Sequence, residues 1–344
     1  MNYLKIGNRK IGKLFKPLVI AEIGINHEGD INKAKKMVDD AISAGCECIK
    51  FQSHIIDKEM IPNKVIPGNS KDSIWEIIKR CSLTFDEEKK LKNYVEKKGI
   101  IFLSTPFSKE AAFNLNKLGV LAFKIGSGEC NNLPLIEYIL KFKKPILLST
   151  GMNNINMIQK SVKLIKKKNI PFILMHCVSI YPTPYEKASI TAVKQLKTKF
   201  KTDLVGLSDH SIGNYISFGA VALGARVIER HFTSKKNWKG PDIPISINKN
   251  ELKDLIKGCN AIHEGNKFKK QVFKEENPTI KFAYSSVVAV KNIKKNEKIT
   301  TKNTWVKRPG NGEIKAFDFH KILGLKLGRD VKVNEQLRWK DLTK

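Results

Sequence analysis

The sequence predicts a TIM-type (β/α)8 barrel followed by a small, mostly β domain. Three observations carry that prediction: eight short apolar, β-branched runs between Leu18 and about His263, longer amphipathic segments between them, and a change of texture after His263. Alternating strand and helix patterns of this kind build a parallel sheet, and eight βα units in some 250 residues suit a closed barrel better than an open doubly wound sheet. The expected strands are LVIAEI (18–23), ECIKFQ (47–52), IIFLST (100–105), LAFKIG (121–126), PILLST (145–150), FILMHC (172–177), LVGLSD (204–209) and RVIERHF (226–232). Helical patterns such as NKAKKMVDDAISAG, KEAAFNLNKLG, NMIQKSVKLIKKKN and NYISFGAVALGA lie between them, several closed by a glycine suited to a left-handed cap.

The connection from Ser53 to Leu83 is long, contains Pro62, Pro67 and Gly68, and is expected to fold over one end of the barrel. The barrel domain is expected to span residues 1–264, a charged and irregular linker residues 265–280, and the small domain residues 281–344, with strand-like runs SSVVAV, TWVKR and RDVKV. So short a domain buries little surface by itself and is expected to pack on something else.

Composition narrows the function classes. The chain has 344 residues, 41% of them hydrophobic, which is enough for a large core. No run of 18 apolar residues occurs, and the first segment lacks the pattern of a secretory leader, so a cytoplasmic protein without a membrane partner is expected. Cys46, Cys48, Cys81, Cys130, Cys177 and Cys259 show no CxxC spacing and are expected as reduced thiols. The formal charge of +30 invites a nucleic-acid reading, yet only seven of the 63 basic residues are arginine. The lysines are spread over nearly every polar helix face, and no aromatics interleave with them to stack bases. Specific nucleic-acid binding is therefore not expected.

In a parallel barrel the chemistry gathers where strands end. Here the ends carry Glu22; Lys50 and Gln52; Ser104 and Thr105; Lys124, followed by GSGE to Glu129; Ser149 and Thr150; His176, then Ser179; Ser208, Asp209 and His210; and Glu229, Arg230 and His231. Buried polar groups cost free energy unless paired, so such a ring points to a ligand. Lys50 and Lys124, with Ser127, Ser149 and Ser208 and the flexible Gly126 and Gly128, supply the cations, hydroxyls and amides of a phosphate or carboxylate cradle, although each lysine could instead pair with a nearby glutamate. His210 and His231 end consecutive strands and could form an open two-imidazole metal site, or each could pair with a carboxylate, Asp209 or Glu229. A Ser-His-Asp hydrolase built on Ser208, Asp209 and His210 is the poorer reading, because neighbours on a strand point to opposite sides. Asp209 is expected to hold a neighbour from behind the site. Asp242 and Arg308 sit on turns that could be ordinary or could project over a ligand.

The segments EIGINHEGD, IKFQSHI, VIPGNSKDSIWEI, STPFS, FKIGSGECNN, STGMN, IYPTPYE, GLSDHS, ALGARVIERHFT, GPDI and WVKRPGNG, in this order, resemble the bacterial sialic acid (N-acetylneuraminate) synthases over nearly the whole chain. The resemblance implies a barrel followed by an antifreeze-like (SAF) domain, in a domain-swapped homodimer whose small domain caps the partner's barrel. It implies condensation of phosphoenolpyruvate with N-acetylmannosamine, with Mn2+ or Mg2+ held by His210 and His231. It places Lys50, Lys124, Ser127, Ser149, Ser179 and Ser208 around phosphoenolpyruvate, and Glu22, Gln52, Asn69, Glu129, Tyr181, Asp242 and Arg308 toward the sugar, Arg308 in trans. Glu22 or Glu129 is expected as the general acid or base, because a carboxylate in a closed anionic site tends to titrate near working pH. The chain departs from close relatives at Ser179, where they carry Asn, at Phe51, often His, and at residues 244–247. Synthases of legionaminate or pseudaminate, which use the same chemistry on 2,4-diacetamido-2,4,6-trideoxyhexoses, are the rival reading within this class. A non-catalytic polyanion binder is the rival outside it, and the intact ring of strand-end groups argues against it.

Overall fold

The structure, a computed structural model, describes residues 3–344 and divides into two compact units, one ending at Lys267 and one spanning Phe268–Lys344. The first unit opens with an antiparallel hairpin, β1 (Tyr3–Ile6) and β2 (Arg9–Gly12). Eight parallel strands follow: β3 (Leu18–Gly24), β4 (Cys48–Ser53), β5 (Ile101–Pro106), β6 (Phe123–Ile125), β7 (Ile146–Ser149), β8 (Phe172–Cys177), β9 (Val205–Asp209) and β10 (Val227–His231). They run in the order β5-β4-β3-β10-β9-β8-β7-β6, and the ladder curls until its ends, β5 and β6, pack together. This is the barrel expected from the sequence, with each strand within about two residues of its expected span.

The side chains of each strand divide by the period of two. Val19, Ala21 and Ile23 of β3 face outward into a core shared with the helices. Leu18 and Ile20 face inward with Cys48, Leu103, Leu147, Ile173, Met175 and Val227, and Leu4, Ile6 and Ile11 of the hairpin join this inner cluster at the strands' amino ends. Following the same inward rows toward the carboxyl ends leads from Ile20 to Glu22, from Cys48 to Lys50, from Leu147 to Ser149 and from Val227 to Glu229 and His231. One end of the barrel interior is thus apolar and the other polar.

The helices begin and end where local chemistry dictates. Ser73 and Thr84 form capping boxes at the starts of Ile74–Cys81 and Phe85–Lys97, and Gly119, at φ +79°, closes Lys109–Leu118 in the left-handed cap. The long β4 connection carries two helices, Ile56–Glu59 and Ile74–Cys81, and Ile77, Ile78 and Cys81 pack on Ile25.

In the second unit β11 (Ser286–Ala289) pairs antiparallel with β12 (Thr304–Lys307) around a core of its own that includes Val287, Ile293, Ile314 and Leu337. The expected strand RDVKV does not form; only Val331 bridges, to Ile293. Asp330 instead accepts from the Lys295 amide at 2.8 Å and the Lys294 ammonium at 3.0 Å, and Asn334 turns the chain at φ +67°. These long-range bonds to Lys294 and Lys295, with the turn at Asn334, hold the segment off a strand path. The helix Lys249–Gly265 leads out of the barrel, and Asn277–Ala283 is also helical.

Candidate active site

The polar ends of the inward rows line a cavity of about 920 Å³ at the carboxyl end of the barrel. Glu22, Lys50, Gln52, Asn69, Lys124, Ser127, Glu129, Ser149, Ser179, Tyr181, Ser208, His210, His231 and Asp242 all border it. Arg308 belongs to the second unit, where it is exposed just after β12.

Two buried lysines cross the cavity floor. Lys50 sits 2.7 Å from Glu22 Oε2 and 3.9 Å from Glu229 Oε1, and donates to Thr105 Oγ1 at 3.1 Å. Lys124 donates to both oxygens of Glu229, at 2.8 and 3.0 Å, and Ser208 Oγ donates to Glu229 Oε1 at 3.0 Å. Each lysine is therefore both ion-paired and exposed to the cavity. Burial works against the Glu229 charge, yet Lys124 and Lys50 hold its carboxyl well below the usual range. Burial pushes Glu22 up to about 7 although Lys50 opposes it, and pushes Glu129 up to about 7 with help from the charge of Glu59.

Beside the lysines lies a hydroxyl-rich pocket. The Gly151 amide donates to Ser127 Oγ at 3.0 Å, while Ser149 Oγ is buried with no hydrogen-bond partner. A buried hydroxyl without a partner beside two ammonium groups is a place for an anion's oxygen. Gly151 is required there, because a Cβ would stand 2.5 Å from Ser179 Oγ and 2.8 Å from Ser127 Oγ.

The imidazoles of His210 and His231 face each other with ring centroids 5.4 Å apart, and Tyr181 stacks on His210 at 4.2 Å. Val178 C=O lies 2.9 Å from His210 Nδ1, which leaves Nε2 free to ligate. Burial holds His231 well below the ordinary imidazole range, with His210 adding to the effect, and its Nδ1 lies buried without a hydrogen bond, 3.6 Å from Asp242 Oδ2. Among the described residues no three His, Cys, Asp or Glu side chains converge as a closed metal cage. His210 and His231 are the side chains here that would hold a divalent ion.

Asp209 points the other way. It accepts from Arg230 Nη1 at 2.7 Å, Ser217 Oγ at 2.6 Å and the Ser211 amide at 2.9 Å, bracing the loop after β9 from behind. Phe51 also faces away, stacked on Phe102 at 5.6 Å in the outer core. Asn69, from the long connection, donates to Pro241 C=O at 3.1 Å and to Asp242 Oδ1 at 3.4 Å. Burial raises Asp242 to about 6. His54, Glu59, Phe107, Met152 and Cys177 also border the cavity, and nothing in strand-end reasoning marks them. Four of these lie beyond strand ends, and Cys177 reads as a core thiol by its apolar neighbours.

All six cysteines are free and buried. No helix among the described residues is long and apolar enough to cross a membrane.

A model described as the NeuB family matches residues 37–271, and one described as the SAF domain matches residues 284–343. The N,N'-diacetyllegionaminic acid synthase of Campylobacter jejuni is 40% identical over 336 residues, covering 94% of this chain and 99% of that protein. The N-acetylneuraminate-9-phosphate synthase of Mus musculus is 34% identical over 260 residues, covering 74% and 72%. The crystal structure of the N-acetylneuraminic acid (sialic acid) synthetase of Leptospira borgpetersenii superimposes with a TM-score of 0.75 at 34% identity, over 81% of this chain and 95% of that one. With this barrel, this small domain and these relatives, the chain belongs to the NeuB family and is an enzyme of its sialic, legionaminic and pseudaminic acid synthases, which form carbon–carbon bonds.

Proposed function

We propose that the protein condenses phosphoenolpyruvate with N-acetylmannosamine and water, giving N-acetylneuraminate and phosphate. The observation that carries this reading is the adjacency, on one cavity floor, of a two-lysine, hydroxyl-rich cradle and an open imidazole pair. Lys50 and Lys124, with Ser127, Ser149, Ser179 and Ser208, bind the phosphate and carboxylate and keep that charge out of water. Glu22, Gln52, Asn69, Tyr181 and Asp242 face the sugar. His210 and His231 would hold a divalent ion, Mn2+ or Mg2+, which when bound polarises the open-chain aldehyde.

C3 of phosphoenolpyruvate forms a bond to C1 of the sugar. A water oxygen adds at C2, and the C2–O bond to phosphate then breaks with phosphate as the leaving group. Two protons must move, one to the former aldehyde oxygen and one from the attacking water. Glu22 and Glu129, both raised to about 7 chiefly by burial, are suited to give and take them near neutral pH. In this reading the protein works in the cytoplasm as a homodimer, and residues 281–344 carry Arg308 to the sugar bound by a second copy.

A second reading has one specific support besides the 40% identical legionaminic acid relative. Ile25, Met60, Ile74, Ile77 and Ile78 form an apolar wall of the cavity near Asn69. Such a wall suits a 6-deoxy sugar bearing a second acetamido group. Phosphate release from phosphoenolpyruvate, measured against a panel of amino sugars with and without divalent ion, tests both. Dependence on N-acetylmannosamine and metal is expected. Release only with a 2,4-diacetamido-2,4,6-trideoxyhexose moves the assignment to the second reading, and release with neither removes both.

A further inference from the structure

His54 belongs to none of the sets above. It follows β4 directly, and both of its ring nitrogens face oxygen acceptors in the cavity wall. Nδ1 lies 2.9 and 3.1 Å from the two oxygens of Glu59, and Nε2 lies 3.0 Å from Gln52 Oε1. The ring lies flat on Phe107, with centroids 4.5 Å apart and planes 12° from parallel. The side chains of His54 and Glu59 are each only 3% exposed.

The orientation of the Gln52 amide follows from its partners. Its nitrogen donates to Glu22 Oε1 at 3.1 Å and its oxygen lies 3.0 Å from His54 Nε2, an arrangement that a hydrogen on Nε2 favours. A terminal carboxamide turns about a broad, nearly two-fold torsion, so without His54 the reversed amide would be opposed only at Glu22. With His54 held between Glu59 and Phe107, the hydrogen on its Nε2 decides which way the Gln52 amide faces. The result is a continuous chain, Glu59 to His54 to Gln52 to Glu22 to Lys50, that ends on the ammonium in the anion cradle. Glu59 also contributes the charge that helps keep Glu129 protonated near neutrality.

We propose that His54 and Glu59 are a positioning pair that locks the Gln52 amide, and through it Glu22, in the orientation the sugar subsite requires. The inference rests on the reading of Gln52 and Glu22 as sugar contacts. Its kinetic test uses whichever amino sugar supports phosphate release by the native protein. In His54→Leu and in Glu59→Leu, kcat/KM for the sugar should fall about 10- to 100-fold, the usual cost of losing an orienting partner, while KM for phosphoenolpyruvate stays within about two-fold. His54→Gln, which keeps a donor, should recover much of the loss. In the Gln52→Ala background, His54→Leu should cost nothing further, because the group it positions is gone. Equal losses on both substrates, or additive effects of His54→Leu and Gln52→Ala, would overturn the proposal.

A second arm needs no turnover, so it separates this inference from the assigned reaction. With side-chain 15N-labelled glutamine, the Gln52 amide signal, identified by its loss in Gln52→Ala, should shift in His54→Leu and in Glu59→Leu while the other glutamine signals stay. An unmoved Gln52 signal rejects the positioning role whatever the enzyme's substrate.

Discussion

The ammonium of Lys124 lies 2.8 and 3.0 Å from the two carboxylate oxygens of Glu229, and both side chains are buried at 3% and 5% exposure. A buried pair of this kind is costly to break from one side, because the remaining charge keeps its burial and loses its partner. Lys124→Met and Glu229→Gln should each destabilise the barrel by about 3 kcal/mol, and the double variant by clearly less than the sum. Urea unfolding of the four proteins checks this; additive losses would show that the pair contributes no coupling.

Gly151 leaves room that Ser127 and Ser179 close around. Gly151→Ala would place a Cβ within 3.0 Å of three side-chain atoms, those of Ser179, Ser127 and Cys177. Overpacking of this size costs about 1 to 3 kcal/mol. KM for phosphoenolpyruvate should rise at least about ten-fold with KM for the sugar nearly unchanged, the expected result of spoiling half of a charge-assisted oxyanion contact set. An unchanged KM for phosphoenolpyruvate would remove these hydroxyls from the cradle.

Glu88 supplies a pH dependence of stability. Burial raises its carboxyl to about 7 against the hydrogen bond from Ser53, which donates at 3.0 Å, and its second oxygen is buried without a partner. The folded state therefore binds a proton that the unfolded chain releases near pH 4.5. The stability from this group is fully present below that pH and is lost as pH rises through about 7. In Glu88→Gln the fall in unfolding free energy between pH 4.5 and 7 should become shallower, by at most about 3 kcal/mol in total. Chemical denaturation at several pH values measures it, and an unchanged slope would contradict the raised carboxyl.

His210→Ala should abolish divalent-ion-dependent turnover while circular dichroism still reports the native fold. Retention of most activity would sink the metal assignment. Mixed and refolded with Arg308→Ala subunits, His210→Ala subunits should regain a fraction of activity if Arg308 serves a second copy's site. No recovery would count against that arrangement.

The barrel was legible because its strands are short, β-branched and regularly spaced, and because a parallel sheet leaves few other ways to bury them. The site was legible where a strand ends, since the period of two carries each inward row from a small or apolar residue to a polar group. Glu22, Lys50, Lys124, Ser149, Ser208, His210 and His231 follow from that rule. So does the outward turn of Asp209, which the structure shows braced against Arg230 and Ser217. RDVKV misleads the eye because alternation of apolar residues there is outweighed by the bonds that Asp330 accepts from Lys294 and Lys295, distant in sequence.

By itself the sequence determined the eight barrel strands, their direction, and the chemical character of each strand end, because these depend on local periodicity and on the geometry of an extended chain. Tertiary structure alone decided which charges pair. Lys50 and Glu22 come from adjacent strands, but Lys124 and Glu229 are 105 residues apart on opposite sides of the cavity, and only closure of the cylinder brings them to 2.8 Å. It also decided that His54, past the end of its strand, reaches Gln52 and Glu59 at once. Side chains beyond a strand end follow loop geometry, which packing against Phe107 and the rest of the barrel sets and which no sequence period encodes.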